Sequence, residues 1–305
     1  MEILSARHTR LFPQDFGRYN RGVQHGELSR VWITGAGGLI GHQLIQTAPA
    51  SIPGGSALPL VRAELDLTDQ AAVSARFRAD APTAIIHCAA LSRSPACQAD
   101  PALARRLNVG VTRLLTELAA DIPFVLLSTD LVFDGRQGNY VEDAAVGPLS
   151  VYAETKVEAE ALTRAHPHHL IIRTSLNYGT SPTRDRSFAE ELVNAWRAGR
   201  TTPLFDDEYR CPIAAVETAR AIWGLLKNDA VGTFHVAGRE RLSRWQIGQL
   251  VAARHPEVKA RILANSLKTF QGPPRPADVS LDCTKAERVV GYALPKFADW
   301  LAQEK

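Results

Sequence analysis

Short hydrophobic segments recur through the first two thirds of the chain, each separated from the next by a stretch that favours a turn or a helix. They are rich in Val, Ile and Leu and carry few polar side chains, which is typical of strands buried on both faces of a parallel sheet. The predicted strands are Val31–Ile33, Leu58–Val61, Ala84–Ala90, Phe124–Thr129 and His169–Thr174, with Thr233–Val236 further along the chain.

Helix-forming segments fill the gaps between these strands. The predicted helices are His42–Ala48, Gln70–Arg78, Ala102–Ala120, a helix that opens at Tyr152, Phe188–Ala198 and Val216–Lys227. Strands and helices alternate with no internal repeat, and this order predicts an α/β fold, a Rossmann-type doubly wound parallel sheet.

The alternation breaks after residue 178, which divides the chain. We expect a dinucleotide-binding domain over residues 30–178, with residues 212–236 returning to it. Residues 179–211 and 237–305 are expected to form a smaller C-terminal substrate-binding lobe. Residues 1–29 are polar and show no steady periodicity, so they are interpreted as a flexible N-terminal extension.

Composition excludes several function classes. The 305-residue chain has a net charge of +3 and no Lys/Arg-rich block, so nucleic acid is not an expected partner. The four cysteines show no zinc-like spacing, which indicates reduced thiols and no metal site. Neither a membrane-spanning apolar stretch nor the apolar centre of a signal peptide is evident. These features predict a cytoplasmic protein acting on a small molecule.

A glycine-rich turn follows the first predicted strand and precedes a helix. Its Gly-x-x-Gly-x-x-Gly spacing is typical of a dinucleotide site, where glycines let the backbone approach the pyrophosphate and the helix N-terminus meets its charge. The candidate cofactor-binding residues here are Gly35, Gly37, Gly38, Leu39, Ile40 and Gly41.

The end of the second strand bears on cofactor choice. An acidic residue there would bind the ribose of NAD, whereas an arginine suits the 2′-phosphate of NADP. Arg62 stands at this point, and Asp66 and Leu67 follow. The pattern favours NADP(H) over NAD(H), although arginine is also common on the surface of such an arginine-rich chain.

The third predicted strand ends in small residues. Cys88, Ala89 and Ala90 leave room for a cofactor to lie against the backbone, and Ser92 in the next loop is a candidate substrate contact. Asn108, in the predicted helix beyond, either braces a neighbouring loop or makes only local hydrogen bonds. The residue pattern leaves both interpretations open.

The strongest chemical signal is a Tyr-x-x-x-Lys pair, Tyr152 and Lys156. Residues four apart on a helix share one face, so the ammonium can lie near the phenol and lower its pKa from about 10 toward neutrality. Such a phenol can act as a general acid toward a carbonyl. Thr129, preceded by Ser128 at the end of a strand, would offer a hydroxyl to the same oxygen.

Several motifs together resemble the extended short-chain dehydrogenase/reductases, and most closely their dTDP-4-dehydrorhamnose reductase-like group. They are the glycine pattern, Ser128–Gly135 (STDLVFDG), Tyr152-x-x-x-Lys156, Arg173-Thr174-Ser175 and Arg275–Asp282 (RPADVSLD). The resemblance implies that Tyr152 protonates the carbonyl oxygen, Lys156 holds the nicotinamide ribose and Thr129 orients the carbonyl. It also implies a nucleotide-sugar substrate, and a homodimer is possible by the same analogy.

The chain departs from this group on the substrate side. Leu176 and Asn177 stand where the group carries an aromatic and an aliphatic residue, and Asp206–Ile213 replaces its usual segment. Arg210 would clamp a phosphate or carboxylate, or form a surface ion pair. The candidate substrate contacts are Ser92, Asp130, Asn177, Arg210 and Arg275.

Three functions compete at this point. The first is an NADP(H)-dependent reductase of a keto group, most simply on a nucleotide-linked 4-keto-6-deoxy sugar. The second is a sugar-nucleotide epimerase or dehydratase, although a dehydratase would need an acid beside Thr129, and Asp130 is expected to point to the other face of the strand. The third is a cofactor-binding regulatory subunit without turnover.

Overall fold

The computed structural model describes residues 28–166 and 168–303. The expected flexible extension therefore lies outside the described residues, apart from its last two positions. Of these, Leu28 packs against the hydrophobic core, and the carbonyl of Ser29 accepts a hydrogen bond of 2.8 Å from the backbone N–H of Ser56.

Strands and helices alternate from the start of the described chain through residue 174. In order, the elements are β1 (Arg30–Thr34), α1 (Leu39–Ser51), β2 (Ser56–Leu60), α2 (Gln70–Asp80), β3 (Ala84–His87), α3 (Ser94–Ala99), α4 (Pro101–Arg105), a π-helical turn (Arg106–Gly110), α5 (Val111–Leu118), β4 (Phe124–Thr129), a 3₁₀ turn (Asp130–Val132), α6 (Val151–Arg164) and β5 (Leu170–Thr174).

Shorter strands mark the later part of the chain. The elements are β6 (Asn177–Tyr178), α7 (Phe188–Arg197), β7 (Thr202–Phe205), β8 (Tyr209–Arg210), β9 (Ile213–Ala214), α8 (Ala215–Lys227), β10 (Gly232–Val236), β11 (Leu242–Ser243), α9 (Arg244–Arg254), β12 (Ile262–Asn265), α10 (Thr284–Val290) and α11 (Phe297–Gln303).

The central sheet has six parallel strands in the order β10-β5-β4-β3-β1-β2. The chain runs outward from β1 to β2, then crosses to β3 on the other side of β1. The switch point therefore lies between β1 and β3, where ligands of doubly wound sheets bind beyond the carboxyl ends of the strands. The predicted α/β fold class is confirmed.

Alternate residues of each strand feed two separate cores. Val31 and Ile33 of β1 face a cluster shared with α1, α8 and α10, whereas Trp32 between them faces α2 and α5. Ile86 and Ile85 of β3 divide in the same way. Because both faces of the sheet are covered, the sequences of its strands are largely unbroken hydrophobic runs.

The part of the chain that is expected to form the lobe has its own core around α7, α9 and α11, where Tyr178, Trp196, Ile247 and Phe297 pack together. The C-terminal part of the lobe, expected over residues 237–305, differs from the prediction in one respect. Residues 279–294 contribute to the core of the central sheet rather than to the lobe. The chain therefore crosses from lobe to sheet once more than the sequence indicates.

Candidate active site

A cleft of about 1900 Å³ lies at the carboxyl edge of the sheet, between the dinucleotide-binding domain and the lobe. With one exception, every candidate site residue predicted from the sequence lines this cleft; the exception is Asp130. The residues come from elements far apart in the chain, and the parallel order of the strands brings them together.

The glycine loop has the shape that a dinucleotide requires. A Cβ atom on Gly35, whose φ is +68°, would lie 2.8 Å from the backbone nitrogen of Ala89, and one on Gly41 would lie 2.3 Å from the carbonyl oxygen of Gly35. Helix α1 begins at Leu39 with no side chain capping it. Its free N–H groups can therefore meet a pyrophosphate.

The end of the cleft that lies beyond the second strand is lined by Arg62, Asp66 and Leu67. The backbone N–H and the hydroxyl of Thr68 donate to Asp66 Oδ1 at 2.9 and 2.8 Å, and these bonds lower the pKa of its carboxyl group. Arg62 is exposed at the rim. This position suits contact with a 2′-phosphate, as the sequence predicts.

Asn108 braces a neighbouring loop, which decides between the two interpretations that the sequence left open. Its Oδ1 accepts from the N–H of Leu91 at 2.8 Å, and its Nδ2 donates to the carbonyl of Leu91 at 3.1 Å and to Thr155 Oγ1 at 2.9 Å. Asn108 lies in the π-helical turn that interrupts the predicted helix Ala102–Ala120. It ties the cofactor-side loop to α6.

The predicted catalytic residues meet in the middle of the cleft. Helix α6 begins at Val151, where the Ser150 hydroxyl accepts from the N–H of Ala153, so Tyr152 and Lys156 lie on its first two turns. Thr129 ends β4 opposite them. A hydrogen bond joins the Thr129 and Tyr152 side chains. These three side chains present a hydroxyl, a phenol and an amine to one space.

The electrostatics of this group differ from the expectation. Burial raises the pKa of Tyr152 above its ordinary value, and the charge of Asp130 raises it further, against the lowering effect of the bond with Thr129. Burial also lowers the pKa of Lys156 to about 8, opposed by the charge of Glu160. The expected lowering of the phenol pKa by Lys156 is therefore absent, because desolvation dominates at both groups.

Asp130 does not point away from Thr129 as expected, because the strand has already ended and the chain turns. Its Oδ1 lies 3.1 Å from the Thr129 hydroxyl. Arg210 donates to it from Nε and Nη2 at 2.7 and 2.5 Å, and Ser175 donates from its hydroxyl at 2.6 Å. Asp130 and Arg210 thus form a buried ion pair rather than a surface pair.

Asn177 lines the cleft with an amide that is already engaged. Its Nδ2 donates to the Thr174 hydroxyl and to the carbonyl of Ser175, both at 3.0 Å, and its Oδ1 accepts from the Thr218 hydroxyl at 2.7 Å. These bonds tie the end of β5 to α8. Ser92 remains a lining residue.

Sequence reasoning missed two charged residues at the lobe end of the cleft, Glu208 and Arg244. Glu208 is fully buried and accepts hydrogen bonds from Arg244 Nε at 2.9 Å and from Arg275 Nε and Nη2 at 2.7 and 3.0 Å. Burial raises the pKa of Glu208, but these arginines lower it to about 2. No local pattern marks either residue.

Within residues 28–166 and 168–303, no group of three or more His, Cys, Asp or Glu side chains is arranged to hold a metal ion. Among the helices of the same ranges, none is long and apolar enough to cross a membrane.

Comparison with known proteins gives one family and several relatives. The family model described as the RmlD substrate binding domain matches residues 29–304. A dTDP-4-dehydrorhamnose reductase of Sinorhizobium fredii is 29% identical over 285 residues, 88% of this chain and 94% of the relative. Methionine adenosyltransferase 2 subunit beta of Xenopus laevis is 28% identical over 87% of this chain and 84% of its own length.

The fold is matched by solved structures. The dTDP-4-dehydrorhamnose reductase from Bacillus anthracis, solved in complex with NADP, aligns with a TM-score of 0.82 and 23% identity, covering 90% of this chain and 98% of that one. At this identity the likeness concerns the fold, and it extends across both the central sheet and the lobe.

Proposed function

Because the chain belongs to the family of the RmlD substrate binding domain, we propose that it is an NADP(H)-dependent reductase with Tyr152 as general acid. Its substrate is the keto group of a nucleotide-linked 4-keto-6-deoxy sugar. The relative from Sinorhizobium fredii is named as a dTDP-4-dehydrorhamnose reductase, and the match covers 94% of its length. This likeness supports the substrate class.

One observation carries the proposal. Thr129, Tyr152 and Lys156 line the same cleft as the glycine loop and the small residues Ala89 and Ala90. A carbonyl held between the phenol and the cofactor side of the cleft would meet the proton donor and the dinucleotide together, the proximity that reduction requires.

Each residue of the group has a role that its surroundings support. When bound, the reduced nicotinamide supplies the hydride. Tyr152 keeps its proton at neutral pH because its pKa is raised, so it can donate that proton to the carbonyl oxygen as negative charge develops. The Thr129 hydroxyl orients the same oxygen. Lys156, next to Cys88 at the end of the third strand, is the residue to hold the inner ribose.

Arg62 supports NADP(H) over NAD(H). It is an exposed cation at the adenosine end of the cleft, and a guanidinium matches the geometry of a phosphate. The Bacillus anthracis structure in complex with NADP agrees with this preference.

The test follows NADPH absorbance in the presence of a dTDP-4-keto-6-deoxy sugar. We expect consumption by the wild type, and a loss of at least about 100-fold in turnover for Tyr152→Phe with NADPH affinity changed by less than about threefold. Tyr292→Phe, a change at an exposed tyrosine outside the cleft, serves as the control. Comparable turnover in Tyr152→Phe would remove this residue from the mechanism.

The dehydratase alternative is disfavoured by Asp130. Its carboxylate oxygens accept hydrogen bonds from Arg210 and Ser175, and Asp130 does not line the cleft, so this side chain is committed to the ion pair rather than presented to a substrate. An epimerase on the same fold would recycle its cofactor, and product analysis without net NADPH consumption would reveal it.

A second candidate is a regulatory subunit, favoured by the 28% identity to methionine adenosyltransferase 2 subunit beta of Xenopus laevis. In this case NADPH would bind without turnover, and the chain would co-purify with a partner enzyme. Consumption of NADPH that depends on Tyr152 would exclude this candidate as the sole function.

A further inference from the structure

A buried carboxylate lies one helical turn from the lysine of the predicted catalytic group. Glu160 follows Lys156 by four residues in α6, so both side chains lie on the same side of the helix. Glu160 is fully buried, and Lys156 is 2% exposed. Lys156 lines the cleft, whereas Glu160 does not. No step of the proposed reaction uses Glu160, so its charge in the core requires another explanation.

Donors from three elements hold the Glu160 carboxylate in place. They are the Ser128 hydroxyl on β4 at 2.6 Å, Nε and Nη2 of Arg173 on β5 at 3.0 and 2.8 Å, and Nη2 of Arg164 at the end of α6 at 2.5 Å. Ser128 pairs with Arg173 in the sheet and immediately precedes Thr129. The carboxylate therefore fixes α6 against the strand that ends in Thr129.

The same carboxylate is ionised and serves two buried cations. Burial raises the pKa of Glu160, but the hydrogen bonds and the charge of Arg173 outweigh burial, and the pKa lies below its ordinary value. Arg173 is buried like Lys156, whereas Arg164 is exposed to solvent. Because a buried charge is costly without an opposite charge nearby, Lys156 depends on Glu160 more than an exposed lysine would.

Two other titratable groups face Lys156, and neither is charged at neutral pH. Burial lowers the pKa of His87 to about 3 and raises the pKa of Cys88 to about 12. Other titratable groups around α6 act on other residues: Asp130, Cys97 and Arg210 on Tyr152, and Arg105 on Glu154 and Glu158. In the part of the chain that the structure describes, Glu160 is thus the ionised acid that faces Lys156.

From this arrangement we infer that Glu160 is a positioning residue for the catalytic group: it supplies the counter-charge that keeps Lys156 an ammonium, and it fixes the helix that carries this lysine. The inference rests on the proposed function for the role of Lys156 toward the cofactor. The ammonium offers three N–H donors and a positive charge to a ribose, whereas the neutral amine loses the charge and one donor.

The direct test is a titration of Lys156 by NMR on the full chain without cofactor. The chain has seven lysines, so isotope-labelled lysine gives few signals, and that of Lys156 is identified by its loss in Lys156→Met. The wild-type signal should titrate near pH 8. Glu160→Gln keeps the shape of the side chain and removes its charge, so the midpoint should fall by at least about one pH unit.

Glu158→Gln is the matched control. This acid lies on the same helix, but it is exposed and pairs with Arg105, so its removal should leave the Lys156 midpoint unchanged. Glu160→Asp keeps the charge, and its midpoint should stay closer to that of the wild type than the midpoint of Glu160→Gln.

A double variant guards against loss of the fold, because Glu160→Gln alone leaves Arg173 buried without its partner. Adding Arg173→Met removes both charges, which costs less stability than removing one. The Lys156 midpoint should fall in this variant too, since the carboxylate that faces Lys156 is gone.

The pH profile of kcat separates this role from a purely structural one. Turnover that requires the ammonium should fall as pH rises through the Lys156 midpoint. Compared with the wild type, Glu160→Gln should therefore lose about fivefold in kcat at pH 8 and recover most of it at about pH 6. A change in packing alone would lower kcat equally at both pH values.

An unchanged Lys156 midpoint in Glu160→Gln and in the double variant would overturn the inference, as would an equal fall in Glu158→Gln. The titration needs no substrate, so failure of the proposed function is distinguishable from these outcomes. If the midpoint follows the charge of Glu160 but no keto sugar is reduced, the role of Glu160 toward Lys156 stands and the reductase proposal fails.

Discussion

Lys156 is a buried cation, and burial at this residue opposes stability at neutral pH. Its folded pKa of about 8 lies below the ordinary value of 10.5. Between these values the unfolded chain binds more protons, so the contribution of Lys156 to stability rises with pH across this window and its cost is greatest below about pH 8. The residue is retained, on our proposal, because the cofactor needs it.

Lys156→Met should therefore abolish turnover and stabilise the fold at pH 7 by about 1–3 kcal/mol. The advantage over the wild type should shrink as pH rises from 8 to 10. Urea unfolding at pH 7 and pH 9.5 measures both effects, with Lys227→Met, at an exposed lysine, as the control. A stability difference that does not change with pH would contradict this account of Lys156.

Arg62 offers a second prediction at the scale of one residue. Arg62→Ala should weaken NADPH binding at least about tenfold, which is the usual loss for a charge-assisted hydrogen bond, while the affinity for NADH changes little. Fluorescence titration with both cofactors measures the ratio. Arg78→Ala, on the exposed side of α2, controls for general loss of positive charge. If both cofactors weaken equally, Arg62 does not read the 2′-phosphate.

At the scale of elements, the π-helical turn Arg106–Gly110 places Asn108 where three partners meet. Asn108→Ala would leave the backbone groups of Leu91 and the Thr155 hydroxyl without their partner, so we expect a loss of about 2–3 kcal/mol in stability. Turnover should fall further than NADPH affinity, because Thr155 lies between Tyr152 and Lys156.

Urea unfolding together with kcat measurements tests this prediction. Asn108→Asp keeps one acceptor and should lie between Asn108→Ala and the wild type in stability. Asn228→Ala, at the exposed end of α8, is the control. A stable Asn108→Ala variant with normal kcat would show that the brace does not position α6.

The composition of each element also explains which elements could be predicted from the sequence. Buried strands such as Ala84–His87 could be predicted because all but the last residue are apolar, and the glycine loop could be predicted because its spacing is local. Both predictions agree with the structure, and the family is confirmed. The π-helical turn has no periodic signature, since it shifts the helix by one residue without changing its composition.

Glu208 and Arg244 were missed for a different reason. Glu208 lies beside the two-residue strand β8 and Arg244 opens α9, so neither belongs to a periodic pattern. Their contact joins positions 36 apart in the chain. The raised pKa of Tyr152 likewise could not be predicted from the sequence. It results from burial and from the charge of Asp130, and both depend on packing that spacing along a helix does not show.

At the scale of the whole molecule, a buried ion pair joins the two parts that enclose the cleft. Asp130 follows the central strand β4, and Arg210 belongs to the lobe. Removing one partner of a buried pair leaves an uncompensated charge, whereas replacing both by neutral groups costs less. The ion pair therefore joins the lobe to the central sheet beside Thr129, near the place where the substrate carbonyl would lie on our proposal.

Arg210→Met alone should destabilise the protein by about 3–5 kcal/mol, because the Asp130 carboxyl group would be left buried without its partner. Adding Asp130→Asn should restore a large part of that loss, a coupling that a double-mutant cycle isolates. Urea unfolding of the four proteins measures the coupling free energy, and intrinsic fluorescence should follow one transition if sheet and lobe unfold together. Additive losses would mean that the two charges do not depend on each other.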